Sequence, residues 1–178
     1  MNLHHLSPGE RAPDVVNVIV EIPRGSRNKV EYDPDLEAFR LDRVLYASLY
    51  YPGDYGFVPG TLAPDGDPLD VLVLVSEPTF PGCVLPARPL GVLEMRDEKG
   101  SDEKVLAVPV GDPRFREAGD LADLPGHLLE EVEYFFDIYK ELEGKETATG
   151  GWLDAGRARD IIARDMATYR ERHAGRAG

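Results

Sequence analysis

Residues 65–75 read Asp-Gly-Asp-Pro-Leu-Asp-Val-Leu-Val-Leu-Val, a carboxylate-rich run followed directly by an apolar run. Five consecutive apolar residues at 71–75 predict a buried strand. The three carboxylates before it have no lysine or arginine among them to neutralise their charge. Carboxylates this close repel each other unless a cation lies between them. The stretch therefore indicates a site for a hard cation at the mouth of a buried strand, above all Mg²⁺.

Two other interpretations of this run are a calcium loop and a solvated acidic turn. An EF-hand loop counted from Asp65 needs glycine at its sixth position and glutamate at its twelfth. Those positions hold Asp70 and Ser76, which excludes the EF-hand. Asp-Gly and Asp-Pro pairs favour turns, so a solvated acidic turn is an equal alternative for the run taken alone.

The composition bounds the class of protein. With 178 residues and 42% hydrophobic content, we expect one domain at 1–178, with an N-terminal arm at 1–13 and a C-terminal tail at 173–178. No apolar run approaches the ~18 residues of a membrane span, and the N-terminus lacks the apolar core of a signal peptide. The single Cys83 excludes an internal disulfide and fits a reducing compartment. We therefore expect a soluble, cytoplasmic protein without a membrane partner.

Charge and histidine spacing argue against nucleic acid and against a histidine-liganded metal site. The net charge of −13 argues against nucleic acid as a partner, because such binding needs a positive surface. The histidines are not spaced like the ligands of a zinc site. A metal bound by this chain would therefore have oxygen ligands. The histidines are His4, His5, His127 and His173.

Strand-like segments occupy most of the chain, and helical segments follow them. A 3.6-residue apolar period at 128–142, between Pro125 and Gly144, predicts one helix. A second is predicted from a cap at Asp154 to about Arg172. This order indicates an α+β domain and favours a β-barrel core. The predicted strands are 15–22, 29–32, 39–44, 69–76, 84–95 and 104–110, and the Gly-, Pro- and Tyr-rich segment 51–61 is expected to be a structured loop with a short extended part.

Other charged groups increase the weight of the metal interpretation. A second acidic group follows the strand predicted at 84–95 and resembles a hairpin connection, for which a charged exposed turn is the stronger interpretation when it is taken alone. A third lies at the end of the first strand and in the second. Each cation taken alone is more often a surface charge than a ligand-binding group. The groups are Asp97, Glu98, Asp102 and Glu103, then Glu21 and Glu31, with the cations Lys29, Arg43, Lys104 and Lys140.

These segments together resemble family I of the inorganic pyrophosphatases in its short bacterial form. The family's pattern Asp-x-Asp-Pro-x-Asp plus an apolar residue stands here at 65–71. The resemblance covers roughly residues 8–170, in the family's order and close to its spacing. Its other matching segments are 20–23, 29–31, 41–43, 51–56, 97–98 with Asp102 and Lys104, 135–140 and 151–152.

The resemblance implies a fold, an activity and an assembly. The fold is a five-stranded OB-like β-barrel flanked by two main helices. The activity is Mg²⁺-dependent hydrolysis of inorganic pyrophosphate to two orthophosphates by a metal-activated water, with Mn²⁺ or Zn²⁺ as substitutes. Bacterial members are typically homohexamers. Segment 145–149 departs from the family's pattern of lysines and an aromatic residue, so no substrate role is transferred to it.

We hypothesise the following division of roles from charge. Asp65, Asp70 and Asp102 bind the first metals, with Asp70 shared between two of them, and Asp67 accepts the proton of the attacking water. Cationic and phenolic groups bind the phosphates, because phosphoryl transfer depends mostly on positioning and charge neutralisation. The further metal ligands are Asp97, Glu21 and Glu31, directly or through water, and the substrate-binding group comprises Lys29, Arg43, Tyr55, Lys104, Tyr139 and Lys140.

Two other functional classes are compared with this hypothesis. A nonenzymatic OB-like binding module would need a basic, aromatic face, which the net charge of −13 argues against. A metal-dependent phosphatase or nuclease acting on organic phosphates uses the same metal chemistry. Phosphate release from pyrophosphate, compared with release from a nucleotide or a sugar phosphate, separates these classes.

Overall fold

The computed structural model describes residues 1–97 and 100–174. Within them the chain forms nine strands and two α-helices, joined by loops and short 3₁₀ turns. Glu98, part of the predicted acidic hairpin, and residues 175–178 of the predicted tail lie outside the described residues. The strands are β1 (Val16–Ile22), β2 (Asn28–Asp33), β3 (Ala38–Val44), β4 (Asp54–Val58), β5 (Leu69–Val73), β6 (Val84–Asp97), β7 (Gly100–Ser101), β8 (Lys104–Pro109) and β9 (Ala148–Asp154), and the helices are α1 (Gly126–Ile138) and α2 (Ala155–Ala174).

Five strands of a mixed sheet close into a ring. The order is β1-β4-β5-β8-β6, and β6 pairs back to β1. The β5–β8 pair is parallel, with Val71 opposite Val105, and the other neighbours are antiparallel. Strands β7 and β9 add to β6 outside the ring. The predicted α+β class is therefore confirmed as a mixed sheet with a five-strand ring and two helices.

The apolar run at 71–75 is buried on both faces of the sheet. Leu72 and Leu74 pack in a cluster with residues of α1 such as Phe136. The alternate residues 71, 73 and 75 pack in a second cluster with residues of α2 such as Ile162. Because successive strand side chains point to opposite faces, a helix on each side explains why this strand is apolar at every position.

Close approach of β4 to β1 depends on a glycine. A Cβ at Gly56 would lie 1.9 Å from the Ile19 carbonyl oxygen. Only glycine therefore permits this strand pairing. A separate hairpin, β2–β3, pairs Lys29 with Arg43 beside the ring.

Three local predictions differ from the structure. The short extended part expected in 51–61 is strand β4, which is longer than the loop prediction specified and fully buried. Strand β9 was not predicted. The first helix ends at Ile138 rather than near Gly144, and Tyr139 caps it. Leu142 lies on a following 3₁₀ turn with its side chain exposed, and Gly144 ends that turn at φ +71°.

Among the described residues, no helix combines the length and apolar character needed to cross a membrane.

Candidate active site

One cavity of about 260 Å³ gathers almost all of the predicted site residues. Its acidic residues come from the loop before β5, from β5 itself, from the end of β6, from the residues just before β8 and from β1 and β2. Of the predicted residues only Arg43 lies outside the lining. The cavity contains Glu21, Lys29, Glu31, Tyr55, Asp65, Asp67, Asp70, Asp97, Asp102, Lys104, Tyr139 and Lys140, and His4, Ile22, Val30, Tyr32, Phe57 and Pro68 complete it.

The parallel pairing of β5 with β8 places the central charges next to each other. Val71 is opposite Val105, so Asp70 and Lys104, one residue earlier on each strand, are neighbours. The Lys104 ammonium donates to Asp70 and, at 2.6 Å, to Asp102. Burial lowers the pKa of Lys104, but these two carboxylates outweigh burial and hold its pKa above the usual range. Lys104 thus neutralises two predicted metal ligands.

Asp65 and Asp67 lie on an exposed turn at the edge of the cavity. The Asp67 backbone N–H donates to Asp65 Oδ1 at 3.0 Å, and the Asp67 carbonyl accepts from Ala63 N–H at 2.8 Å. Partial burial raises the pKa of Asp65, and the charges of Asp67 and Asp70 raise it further. Within the described part of the chain no hydrogen bond or ion pair reaches the Asp67 carboxylate, so its oxygens are available to a ligand.

Glu21 lies deep in the cavity, close to other negative charges. Its Oε1 accepts from Tyr32 N–H at 2.7 Å. Burial raises the pKa of Glu21 to about 8; the Tyr32 hydrogen bond opposes this shift, and the charges of Asp70 and Glu31 add to it. Burial likewise raises the pKa of Asp102. The charges of Asp70 and Asp97 raise this pKa further, and the nearby Lys104 ammonium lowers it. The cavity therefore disfavours its own negative charge, which a bound cation would relieve.

The β2–β3 hairpin contributes cations that are paired with carboxylates. The Lys29 ammonium contacts Glu31 and lies 3.6 Å from Asp42. Arg43 Nε donates to Glu143 at 2.8 Å. Although Arg43 lies outside the cavity lining, its Nη2 is buried and has no hydrogen-bond partner among the described residues. This nitrogen is a donor that a ligand could use.

Aromatic side chains form the wall below Lys104 and Lys140. The Lys104 Nζ lies 5.7 Å from the Tyr55 ring centre, and the Lys140 Nζ lies 5.3 Å from that of Tyr139. Lys140 Nζ is also 3.4 Å from Asp97 Oδ2. Burial raises the pKa of both Tyr55 and Tyr139, so both phenols stay protonated at neutral pH and remain hydrogen-bond donors.

The donor set fits a hard divalent cation. Asp65, Asp70 and Asp102 also line a second, smaller cavity of about 10 Å³, close to the volume that holds a single water. Carboxylate oxygens are the ligands that Mg²⁺ prefers. In the described residues no three such groups converge into a finished cage, since Lys104 lies between two of the carboxylates. The chemistry of the site therefore suits the metal, and Lys104 occupies the position of a competing cation.

His4 and Tyr32 belong to the cavity but were missed from the sequence. His4 lies in the arm that was predicted to be irregular, and no spacing links it to the carboxylates. Tyr32 ends the strand predicted at 29–32 and was given no role in the site. Both side chains are brought to the site by contacts between distant segments, which single-sequence patterns do not encode.

Comparison with known proteins gives the same family at several levels. The profile described as "Inorganic pyrophosphatase" matches residues 18–170. An inorganic pyrophosphatase of Nostoc sp. is 52% identical over 163 residues, which are 92% of this chain and 96% of the relative. One of Halalkalibacterium halodurans is 51% identical over 158 residues, 89% and 97% of the two chains. The crystal structure of the Thermus thermophilus inorganic pyrophosphatase superposes with a TM-score of 0.94 at 47% identity, covering 96% of this chain and 99% of that one.

Proposed function

The chain belongs to the family I inorganic pyrophosphatases, enzymes that hydrolyse pyrophosphate to two phosphates, and on that premise we propose that the carboxylate cavity is where this reaction takes place. The observation that supports this placement is the gathering of carboxylates, lysines and phenols around one cavity of about 260 Å³. The small volume suits a small, multiply charged anion better than an organic phosphate ester.

The family requires a divalent metal, and we assign it here as Mg²⁺, with Mn²⁺ or Zn²⁺ as substitutes. Asp65, Asp70 and Asp102 would hold the first ions, with Asp70 shared. When bound, such ions neutralise phosphate charge and lower the pKa of a coordinated water. The second group of proposed ligands, direct or through water, is Asp97, Glu21 and Glu31.

Asp67 is the residue we assign as the general base. It lies at the cavity edge, and its carboxylate is engaged by no lysine of the described chain. A base must be ionised and within reach of the proton that it accepts. Asp70 and Asp102, by contrast, each contact Lys104 and are less available.

The cations and phenols would bind and orient the phosphates. Lys29, Lys104 and Lys140 present ammonium groups to the cavity. Arg43 offers its buried, unsatisfied Nη2 from the hairpin beside it. The protonated phenols of Tyr55 and Tyr139 add hydrogen bonds without adding charge. These groups offset the three to four negative charges of pyrophosphate, which makes positioning the main task of the protein.

A comparison of substrates tests this assignment. Purified enzyme with Mg²⁺ is expected to release phosphate from pyrophosphate far faster than from a nucleoside triphosphate or a sugar phosphate. Asp67→Asn should reduce kcat by at least about 10²-fold at saturating Mg²⁺, the lower range for general-base catalysis, while circular dichroism stays unchanged. Near-normal turnover of the folded variant would remove Asp67 from the role of base. Equal turnover of the organic phosphates would contradict the fit of the cavity.

We also propose the finer features that the family resemblance implies. These are a single domain over 1–178, a homohexameric assembly, a cytoplasmic location and classification of the five-strand ring as an OB-like barrel. Nucleic acid and membranes are not proposed as partners, because a net charge of −13 disfavours the first and the family's substrate is a small anion.

A further inference from the structure

The N-terminal arm forms part of the wall of the catalytic cavity. His4, in a short 3₁₀ turn at Leu3–His5, is one of the lining residues. Its ring packs edge-on against Phe57, with 5.0 Å between ring centres, and against Tyr32 at 5.4 Å. Burial lowers the pKa of His4, so the ring is neutral at neutral pH and contributes packing rather than charge.

The first consequence concerns Glu21. Tyr32 is the residue whose backbone N–H holds the Glu21 carboxylate at 2.7 Å. The arm contacts Tyr32 a second time, because its phenol oxygen accepts from Leu3 N–H at 3.1 Å. The arm therefore holds Tyr32 in place, and Tyr32 in turn holds the Glu21 carboxylate.

The second consequence concerns the loop that bears Asp65 and Asp67. The His4 carbonyl accepts from Gly60 N–H at 2.9 Å, where Gly60 turns the chain out of β4 with φ +66°. The loop from this point leads directly to the acidic turn. The same arm residue thus contacts both sides of the cavity: the hairpin side through Tyr32 and the loop side through Gly60.

The arm is fastened to the last helix as well as to the ring. His5 Nδ1 makes a hydrogen bond to the Tyr169 hydroxyl on α2, and His173 stacks on the Tyr169 ring with 4.1 Å between centres. Leu3 and Leu6 pack against the apolar cluster of Ile19, Tyr32 and Phe57. These contacts hold His4 in the cavity wall.

We propose that His4 is a positioning residue that sets metal affinity, by keeping Glu21 and the Asp65–Asp67 turn at a fixed separation across the cavity. The inference rests on the proposed metal-binding role of those carboxylates. His4 does not contact the proposed metal ligands or the substrate. Its ring contacts Tyr32 and its carbonyl contacts Gly60, and those residues hold the ligand-bearing segments.

Direct Mn²⁺ binding, followed by electron paramagnetic resonance, tests this role without relying on turnover. His4→Ala removes the ring contacts with Tyr32 and Phe57 but keeps the main-chain bond to Gly60. It is expected to weaken Mn²⁺ binding several-fold, less than the loss of roughly tenfold or more for partners that contact metal ligands directly. The Mg²⁺ concentration for half-maximal activity should rise in parallel, and by more than kcat at saturating Mg²⁺ falls. His4→Phe keeps the aromatic contacts and should restore most of the affinity. The matched control is His127→Ala, an exposed histidine on α1.

Tyr169→Phe gives an independent variant, because it removes only the hydroxyl that holds His5. It should weaken Mn²⁺ binding by a smaller factor than His4→Ala does. It also serves as the test of the arm's role if His4→Ala does not fold. If His4→Ala folds and binds Mn²⁺ with wild-type affinity, the inference is overturned. If His4→Ala does not fold, wild-type Mn²⁺ affinity in Tyr169→Phe overturns it instead. Asp70→Ala distinguishes failure of the inference about His4 from failure of the proposed metal site. If Asp70→Ala binds Mn²⁺ as tightly as wild type does, the assignment of these carboxylates as metal ligands is itself wrong.

Discussion

At the scale of single residues, the aspartates of 65–70 differ through their neighbours. Asp70 contacts the buried ammonium of Lys104, Asp65 accepts a backbone N–H, and Asp67 projects from an exposed turn. The same side chain is thereby ion-paired in one position and accessible in another. The sequence alone indicated that three carboxylates act together, and the contacts give a physical reason for dividing their roles.

Glu21 supplies a prediction on pH. Its folded-state pKa is about 8 against 4.5 for the free side chain. Because the folded state favours the protonated form, Glu21 contributes stability that is complete below pH 4.5 and is lost as pH rises through 8. In EDTA, the free energy of unfolding of wild type should therefore fall relative to Glu21→Gln between pH 5 and 9, by on the order of 4 kcal/mol at about 1.4 kcal/mol per pKa unit.

Urea unfolding at several pH values measures this difference. Glu117→Gln, at an exposed position, is the control and should keep a constant difference from wild type across the range. A pH-independent difference between wild type and Glu21→Gln would contradict the buried, charge-repelled environment of Glu21.

At the scale of elements, hydrophobic pattern predicted most of the fold. Strands were predicted at 15–22, 84–95 and 104–110 and are observed at Val16–Ile22, Val84–Asp97 and Lys104–Pro109. The second helix was expected from Asp154 to about Arg172 and spans Ala155–Ala174. These elements have long runs of matching period, so local sequence determines them.

The elements that were missed depend on their partners. Strand β9 reads Ala-Thr-Gly-Gly-Trp-Leu-Asp, which has weak strand propensity, and it is extended because it pairs with β6. Strand β4 was predicted only as a short extended part without bounds, because it contains Gly56, which local propensity disfavours but contact with Ile19 requires. The pairing of Lys104 with Asp70 follows from the parallel register of β5 and β8, which spacing along the chain does not specify.

Helix α2 ties together two segments that bear the proposed metal ligands, and this predicts a role for Glu103. Arg164 donates to Glu103 at 2.7 Å, next to Asp102, and to Asp165 at 2.8 Å. The Asp165 carbonyl accepts from Leu62 N–H at 3.0 Å, in the loop before Asp65. Glu103→Gln should therefore raise the half-saturating Mg²⁺ concentration several-fold, while unfolding free energy changes by less than about 1 kcal/mol, as for a partly exposed ion pair.

Activity titrated with Mg²⁺, alongside urea unfolding, tests whether the contacts of Arg164 hold Asp102 in place. The control is Asp160→Asn, which breaks a more exposed pair with Arg157 on the same helix. An unchanged Mg²⁺ requirement in Glu103→Gln would show that α2 does not hold Asp102 in place. Glu103 is the better choice over Arg164, because removing Arg164 would leave the buried Asp165 without its partner.

At the scale of the whole molecule, a chain of net charge −13 acts on a multiply charged anion. Each lysine of the cavity already contacts a carboxylate: Lys29 with Glu31, Lys104 with Asp70 and Asp102, and Lys140 with Asp97. The protein alone therefore has little positive charge to offer. Bound cations reverse this balance, since each one neutralises carboxylates and leaves the lysines available to phosphate.

This balance predicts that metal stabilises the folded chain. A ligand that binds only the folded state at 100 times its Kd adds about 2.7 kcal/mol. For a chain of this size about 1 kcal/mol corresponds to roughly 2–4 °C in Tm, so saturating Mg²⁺ should raise Tm by roughly 5–11 °C over EDTA. Relief of repulsion among Glu21, Asp70 and Asp102 is the cause.

Scanning calorimetry with KCl of matched ionic strength separates specific binding from screening, which acts equally for both salts. An equal rise in KCl would assign the effect to net charge, and Asp70→Ala should lose most of the Mg²⁺-specific part.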